Sequence, residues 1–483
     1  MNSGASVEGP ALVGRAALAS TPCEGSEIDG FRLGALLHTG SMASIHRLTG
    51  PDGPLPLVMK IPRLGAGERA VNVIGFEVCR MVLGALAQSV HHPTLVAYGD
   101  VETTPYLVME FIDGPRLNDS VERAPLAPEE IARLGSALAL ALQELHRQDV
   151  VHLDLKPTNV LFRASGEAAL IDFGLAHHAH YPDLLAEELR FPVGNWVYMA
   201  PEQIFGVRGD PRSDIYALGG ILYELATGRL PFGRPRSVAA LRQRLYLNPP
   251  PPRAIAPATP QWLQEIILRC LALDARERYA SADELAFDLA NPSGVAISER
   301  GARQERDRWW TVLRRRLRAT HFEPAPRPPL SSRPQLAQIV VVALALRDDD
   351  AALREALLAE TRRAIAPDPE CRVACVTVVP PAAALNGEGE EYTATGRHIR
   401  RLIELRRWAK PLELPEERLT YHVLESDKPV AALCDYVKMN DVDRMLIGAS
   451  GSTGQSRVLA GACAHIVAEA ACSITVVRPR AEG

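Results

Sequence analysis

Long hydrophobic runs, paired cysteines and charge of one sign are what this chain of 483 residues lacks. The longest run of consecutive aliphatic residues, Ile339 to Leu346, has eight members, against about 18 or more needed to cross a bilayer. No transmembrane helix is expected. The first thirty residues include Glu8, Glu24 and Glu27 and show no basic start followed by an apolar core, so no export signal is expected and a cytoplasmic location follows. The eight cysteines are scattered, with no CxxC pair, which argues against a disulfide framework and for reduced core thiols. Lysine plus arginine number 53 against 58 acidic residues, a formal net charge of −5, so composition gives no reason to expect a nucleic-acid partner. What is present is ordinary: 47% hydrophobic and 23% charged residues exclude wholesale disorder, and the length allows two to four domains at roughly 100 to 200 residues each.

The chain divides by pattern. Residues 1–29 lack sustained periodicity and are rich in Gly, Ser and Pro, so they are expected to be disordered. Residues 30–290 show short β-like runs and then long helical patterns such as Pro128 to Arg147 and Asp214 to Thr227, which predicts a small sheet-rich lobe followed by a larger helical one. Residues 291–334 form a linker with the basic stretch Arg306 to Arg318 and the Pro-rich stretch Pro324 to Pro329. Residues 335–483 alternate strands (Ile339–Leu346, Arg372–Val379, Leu419–Leu424, Arg444–Gly448, Ser473–Val477) with helices (Ala351–Ala364, Arg397–Lys410, Val430–Met439, Ala460–Ala470). Such alternation predicts an α/β domain with a mostly parallel, doubly wound sheet. No short-period repeat supports a solenoid.

The chemistry-bearing residues lie in three blocks. Val151-His-Leu-Asp-Leu-Lys-Pro-Thr-Asn-Val-Leu161 is followed by Ile171-Asp-Phe-Gly174 and then Met199-Ala-Pro-Glu202. Taken singly, an Asp in a loop is usually a turn or cap residue and a lone Lys is usually solvated. Taken in this order and spacing, the blocks resemble the eukaryotic-type Ser/Thr protein kinases over about 260 residues. The resemblance implies an α+β two-lobed kinase domain using ATP and Mg2+, with Mn2+ as the alternative ion, acting on protein substrates. It implies that Asp154 receives or orients the acceptor hydroxyl, that Asn159 and Asp172 hold the metal, and that Lys156 contacts the γ-phosphate. A Lys at that place in the family suits Ser/Thr acceptors. Lys60, in Val58-Met-Lys60, would grip the α- and β-phosphates, with Glu77 as its ion-pair partner and Glu68 as the alternative. Tyr106 to Gly114 resembles the hinge that receives adenine, with Met109 as gatekeeper and backbone groups from Glu110 to Ile112 holding the base. Asp214 and Gly219 resemble structural residues of the next helix, and Arg278 would pair with Glu202.

The chain departs from that family in places. Leu37 to Ile45 keeps only Gly40 of the glycine-rich loop, with His38 and Ala43 where the outer glycines would stand, so weaker phosphate handling is expected. Leu153 replaces the arginine before the catalytic Asp, and the segment from Asp172 to Glu202 contains no Ser or Thr, only Tyr181 and Tyr198 as hydroxyl side chains. Switching by Ser/Thr phosphorylation within this segment is excluded, and the bidentate partner for such a phosphate is missing. Asn195 stands where the family has a Thr that touches the catalytic pair. His177, His178 and His180 lack Cys or carboxylate neighbours at ligand spacing and are read as solvated.

In the last domain, Gly448-Ala-Ser-Gly451 ends a strand and Gly461 opens a helix, giving G-x2-G-x9-G. Glycines after a strand let N–H groups surround phosphate oxygens at a helix N-terminus. The pattern resembles the nucleotide-binding class of the universal stress protein family. The resemblance implies either ATP or AMP binding through Gly448, Gly451 and Gly461 or a structural, homodimerising domain. Ala462 and Ala345 stand where that family has a hydroxyl residue and an acid. Between the domains, residues 303–318 carry seven arginines with Trp309, Trp310, Leu313 and Leu317. This basic amphipathic stretch is expected to pack on the chain's own domains or to make weak contact with an anionic membrane surface.

Overall fold

The computed structural model describes residues 23–479 except 41, 50–55, 64–69, 101–103, 186–191, 193, 320–321, 326–337, 346–350, 382–393, 416–417, 441 and 450–464. The first lobe is a six-stranded antiparallel sheet: β1 (Glu27–Ile28), β2 (Phe31–Thr39), β3 (Ala43–Thr49), β4 (Leu57–Pro62), β5 (Leu95–Gly99) and β6 (Tyr106–Glu110), ordered β1-β2-β3-β4-β6-β5. The helix α1 (Ala70–Ala85) lies between β4 and β5 in sequence. Disorder is not what Glu27 and Ile28 show, since they pair with Arg32 and Phe31; residues 1–22 of the expected disordered lead lie outside the described residues. In β4 the two-residue period decides the site. Met59 and Ile61 enter a small core with Leu33, Tyr106 and Val108, so Val58 and Lys60 face the opposite side, toward a cleft.

The helical lobe follows with α2 (Leu117–Glu122), α3 (Pro128–Arg147), β7 (Val150–Val151), β8 (Val160–Phe162), β9 (Ala168–Leu170), β10 (His177–His178), α4 (Arg212–Thr227), α5 (Val238–Leu241), α6 (Gln261–Cys270) and α7 (Ala282–Ala290). Helix α3 opens on Pro128, carries Glu129 and Glu130 in its first turn and His146 and Arg147 in its last, charges that suit both ends of the helix dipole. All residues of α4 are buried, as expected for the central helix of a bundle.

Beyond it come α8 (Glu299–Ala302) and α9 (Trp309–Arg318). The basic helix begins later than the arginine pattern suggests. The Gln264 side-chain amide donates through Nε2 to the carbonyls of Arg300, Gly301 and Arg303, and the chain is extended at Arg303. Its arginine side touches the helical lobe, with Arg316 over the Tyr246 ring. Its apolar side does not dock there: Trp309 and Trp310 are 60% and 63% exposed.

The last domain contains β11 (Ile339–Ala343), α10 (Ala351–Ile365), β12 (Arg372–Val379), α11 (Ala394–Ala409), β13 (Leu419–Glu425), α12 (Pro429–Met439), β14 (Arg444–Gly448) and β15 (Ser473–Val477). Its five strands are all parallel, in the order β13-β12-β11-β14-β15. Val340, Val342, Val373 and Cys375 pack on the α10 and α11 side, while Val341, Ala374 and Val376 pack on α12. Both faces are covered, which is why these strands read as continuous apolar runs rather than as alternation. Helix α11 also packs against α1 of the first lobe.

Candidate active site

The loop between β7 and β8 carries Asp154, Lys156 and Asn159, and its shape is imposed from below by Asp214 in the first turn of α4. Asp214 Oδ1 accepts from the Leu153 amide at 2.9 Å, and Oδ2 accepts from the His152 amide at 2.8 Å and from His146 Nε2 at 3.0 Å. Burial alone would raise the Asp214 pKa; the bonds from His146 and His152 outweigh it and hold the carboxyl below its ordinary value. That anchor holds Leu153 at φ +62°, a left-handed conformation that costs a branched side chain about 1 to 3 kcal/mol. Next to it, Asp154 is 7% exposed. Its Oδ2 accepts from Lys156 Nζ at 2.6 Å, its Oδ1 from the Asn195 amide at 2.9 Å, and its backbone carbonyl from Asn159 Nδ2 at 3.0 Å.

On the same side of the cleft stands Asp172, also at positive φ, +66°. Lys60 Nζ donates to its Oδ1 at 2.7 Å. The Lys60 charge holds the Asp172 carboxyl well below the usual range, against a burial that would raise it. Burial by itself would lower the Lys60 pKa, but Asp172 overrides it and the ammonium is held above its ordinary value. Both groups are therefore charged at neutral pH. Phe173 is fully buried against the rings of His152 and His92. Gly174 meets α1 backbone to backbone: a Cβ on Gly75 would lie 3.2 Å from the Gly174 carbonyl oxygen, and a Cβ on Gly174 would lie 3.2 Å from that of Gly75. The position of α1 is thus read directly by the Asp172 turn.

The cleft between the lobes has a volume of about 1870 Å³ with its open mouth. Its lining includes Gly40, Val58, Lys60, Met109, Glu110 and Ile112 on one side and Lys156, Asn159 and Asp172 on the other. The Glu110 carboxylate turns away to Arg163. Its amide donates to Thr94 and that of Phe111 to Pro56, so those two N–H groups are committed within the fold and the amide of Ile112 is not used by these bonds. Gly114 permits the exit from the hinge, since a Cβ there would sit 1.8 Å from the Phe162 carbonyl oxygen. The Gly40 amide donates to the Ala43 carbonyl at 2.9 Å, closing the β2–β3 hairpin.

Four sequence expectations need correcting. Glu77 does not meet Lys60. Its Oε2 accepts from Arg80 Nη2 at 3.2 Å and from Arg406 Nη2, on α11, at 2.8 Å. The reason is helical phase. Gly75 and Cys79 face Gly174 and the cleft, and Glu77, two residues on, is turned about 200° from Gly75 at 3.6 residues per turn. Cys79 is the α1 residue beside Lys60, a buried thiol with its pKa pushed up by burial, and it is the position sequence reasoning missed. Plotting α1 as a helical wheel would have found it, because Glu77 is the only acid within Ala70–Ala85. Glu68, the alternative partner, lies outside the described residues.

Asn195 reaches Asp154 through its backbone, while its Oδ1 accepts from the Val197 amide at 3.0 Å. His177 and His178 are buried rather than solvated, pairing as β10 with β7, and His180 pairs with Asp149. Cys23 is exposed rather than a core thiol. Arg278 and Glu202 do meet, in a two-pronged contact at 2.7 and 2.8 Å. In the last domain Gly448 ends β14 at the point where strand order reverses beside β11, and a Cβ there would lie 2.7 Å from Leu353 Cδ2 of α10. Gly451 and Gly461 lie outside the described residues.

Comparison with known proteins agrees with both halves of this architecture. Residues 84–288 match the protein kinase domain family and residues 337–478 the universal stress protein family; β4, with Lys60, precedes the first of these ranges. The chain is 39% identical over 254 residues to the serine/threonine-protein kinase Pkn1 of Myxococcus xanthus, covering 50% of this chain and 34% of that protein. It is 30% identical over 269 residues to the serine/threonine-protein kinase PknB of Mycobacterium tuberculosis, covering 54% and 42%. Among solved structures, the kinase domain of Mycobacterium tuberculosis PknI is similar at 22% identity and a TM-score of 0.44, covering 56% of this chain and 99% of that one. The chain thus spans less than half the length of these curated relatives. It carries a protein kinase domain followed by a universal stress protein domain.

Proposed function

We propose that the chain is an ATP- and Mg2+-dependent Ser/Thr protein kinase, with its kinase domain over 30–290, a linker over 291–334 and a C-terminal domain over 335–483. The observation that carries this reading is the convergence of Lys156, Asn159, Asp172 and Lys60 on one cleft, with Asp154 bonded to Lys156 beside it. Phosphoryl transfer asks a protein mainly for positioning and charge stabilisation. Asp154, oriented by the Asn195 amide and by Asn159, accepts the proton of the acceptor hydroxyl. Lys156 sits 2.6 Å from Asp154, where it neutralises the transferring phosphoryl group. Lys60 holds the inner phosphates, and Met109, Glu110 and Ile112 frame the base.

Asp172 and Asn159 offer the hard oxygen donors that Mg2+ or Mn2+ requires. The fit is supported by a carboxylate that stays ionised and is 40% exposed to the cleft. Bound there, the ion supplies charge neutralisation at the phosphate oxygens. The partners of the reading are nucleotide and protein substrates, with the chain itself among them. Its setting is the cytoplasm: no described helix is long and apolar enough to cross a membrane, and α9 gives at most a weak membrane-surface contact. The C-terminal domain senses nucleotide through Gly448, Gly451 and Gly461 or dimerises the chain.

A second reading, an ATP-binding scaffold with negligible transfer, is favoured by two observations. Helix α1 turns Cys79 rather than a carboxylate to Lys60, and the Gly40 amide is committed to Ala43. The test is transfer of labelled phosphate from ATP by the full chain and by Asp172→Ala. Transfer lost in the variant supports the enzyme. Absence of transfer in both, with ATP bound, supports the scaffold.

A further inference from the structure

Two devices that ordinarily fix the active arrangement of such a site are missing. No carboxylate on α1 faces Lys60. The segment from Asp172 to Glu202 has no Ser or Thr to phosphorylate, and Leu153 stands where a phosphate-binding arginine would be needed. Something else must hold α1 and that segment.

We infer that the C-terminal domain is a brace that positions both, with Arg406 as the positioning residue for α1 and Arg372 for the segment after Asp172. The inference rests on the kinase reading above. On its outer face α1 shares a cavity with the C-terminal domain, lined by Glu77, Arg80, Met81 and Gly84 on one side and by Leu402, Arg406 and Tyr421 on the other. The Arg406 side chain is 10% exposed. It donates from Nη2 to Glu77 at 2.8 Å and from Nη1 to Asp100, just past β5, and stacks over Tyr421. One guanidinium therefore ties α11 to both α1 and the neighbouring strand end. Desolvation of such a group is costly unless it is paired, so its pairing fixes a geometry rather than decorating a surface.

Arg372 donates to the His180 carbonyl and lies 3.9 Å over the Tyr181 ring. Asn440 Oδ1 accepts from the Asp183 amide at 2.6 Å. Asp183 in turn pairs with Arg208, whose Nη2 also caps the Leu175 carbonyl immediately after Gly174. On the other side, Gly75 of α1 abuts Gly174. Both routes from the C-terminal domain therefore end on the turn that aims Asp172.

The experiment compares the full chain with Arg406→Ala, Arg406→Lys and Arg372→Ala. Hydrogen exchange is read at α1 and at 177–185, with α4 as the control for global folding, alongside kcat and the KM for ATP. Arg406→Ala is expected to raise exchange across 74–85 at least tenfold and to lower kcat by about tenfold or more, the scale on which slight misplacement acts. KM is expected to change less, and Arg406→Lys to recover part of both effects. Arg372→Ala is expected to raise exchange at 177–185. Should α4 also open in Arg406→Ala, Glu77→Gln removes the same ion pair without truncation and is expected to give the same α1 result. Unchanged exchange at α1 would overturn the brace, and so would raised exchange with unchanged kcat. A kcat that rises would overturn it in favour of an inhibitory contact. If the wild-type chain transfers no phosphate, the kinase reading falls by itself, and the exchange results still decide whether the brace exists.

Discussion

Arg278→Ala gives a sharp test of how the segment after Asp172 is anchored to the helical lobe. Arg278 and Glu202 are 0% and 3% exposed and share two hydrogen bonds of 2.7 and 2.8 Å. The guanidinium also donates to the carbonyls of Ala272, Arg212 and Leu273 and lies over Tyr216. Truncation leaves Glu202 with Ser213 Oγ as its remaining side-chain donor, at 2.7 Å. Breaking a buried pair from one side costs about 3 to 5 kcal/mol. At roughly 2 to 4 °C per kcal/mol for a domain of this size, Tm should fall by roughly 6 to 20 °C. The sign with pH follows from Glu202. Burial would raise its pKa, but Arg278 outweighs this and holds it below the ordinary value. In the wild type the pair stabilises the fold above the unfolded carboxyl pKa, and that contribution is lost as pH falls through and below it. In the variant only the hydrogen bonds from Ser213 and the backbone still oppose the burial, so the pKa rises and protonation relieves the penalty. The deficit should therefore be largest near pH 7 and smaller near pH 4.5. Calorimetric melts of both proteins at the two pH values measure it. A loss below about 1 kcal/mol, or a deficit that grows on acidification, would refute the reasoning.

Two further outcomes follow from the C-terminal domain. Burial pushes His398 down to about 4 and His422 down to about 3, the latter despite a small opposing pull from Asp183. Both folded values lie below the unfolded histidine value, so the stability these neutral rings permit is complete above about pH 6.5 and is lost as pH falls toward the folded values, on the order of 2 kcal/mol each by pH 5. Denaturant midpoints at pH 7 and pH 5 should show this loss, and His422→Gln should lessen it; equal acid sensitivity in wild type and variant would count against it. Gly448→Ala should destabilise the domain by about 1 to 3 kcal/mol, the usual cost of overpacking, because its Cβ would lie 2.7 Å from Leu353 Cδ2. In a Leu353→Ala background the cost of Gly448→Ala should shrink, and an unchanged cost would show that the helix contact is not the cause.

The sequence made different parts of this account legible for different reasons. In the C-terminal sheet, strands buried on both faces are nearly unbroken apolar runs, so Arg372–Val379 and Arg444–Gly448 could be placed to the residue. Helix α3 shows its own ends, through Pro128 and the charges at each terminus. Asp154, Asn159 and Asp172 stand out because metal and acceptor chemistry requires particular residue types at short spacing. Glu77 misled because spacing from a motif was followed instead of helical phase: the face shared by Gly75 and Cys79 is the one that meets the cleft. The histidines at 177–180 were read as solvated because nothing local reveals that β7, Tyr181 and Arg372 cover them. The exposure of the α9 tryptophans is equally invisible in the local pattern.

The measurement that bears most directly on the central claim identifies the residue that receives label when the full chain is incubated with Mg2+ and γ-labelled ATP, beside Asp154→Asn. The account predicts phosphoserine and phosphothreonine in the wild type and none in the variant, whose amide cannot take the hydroxyl proton. Label on tyrosine alone, or equal label in the two proteins, would contradict it.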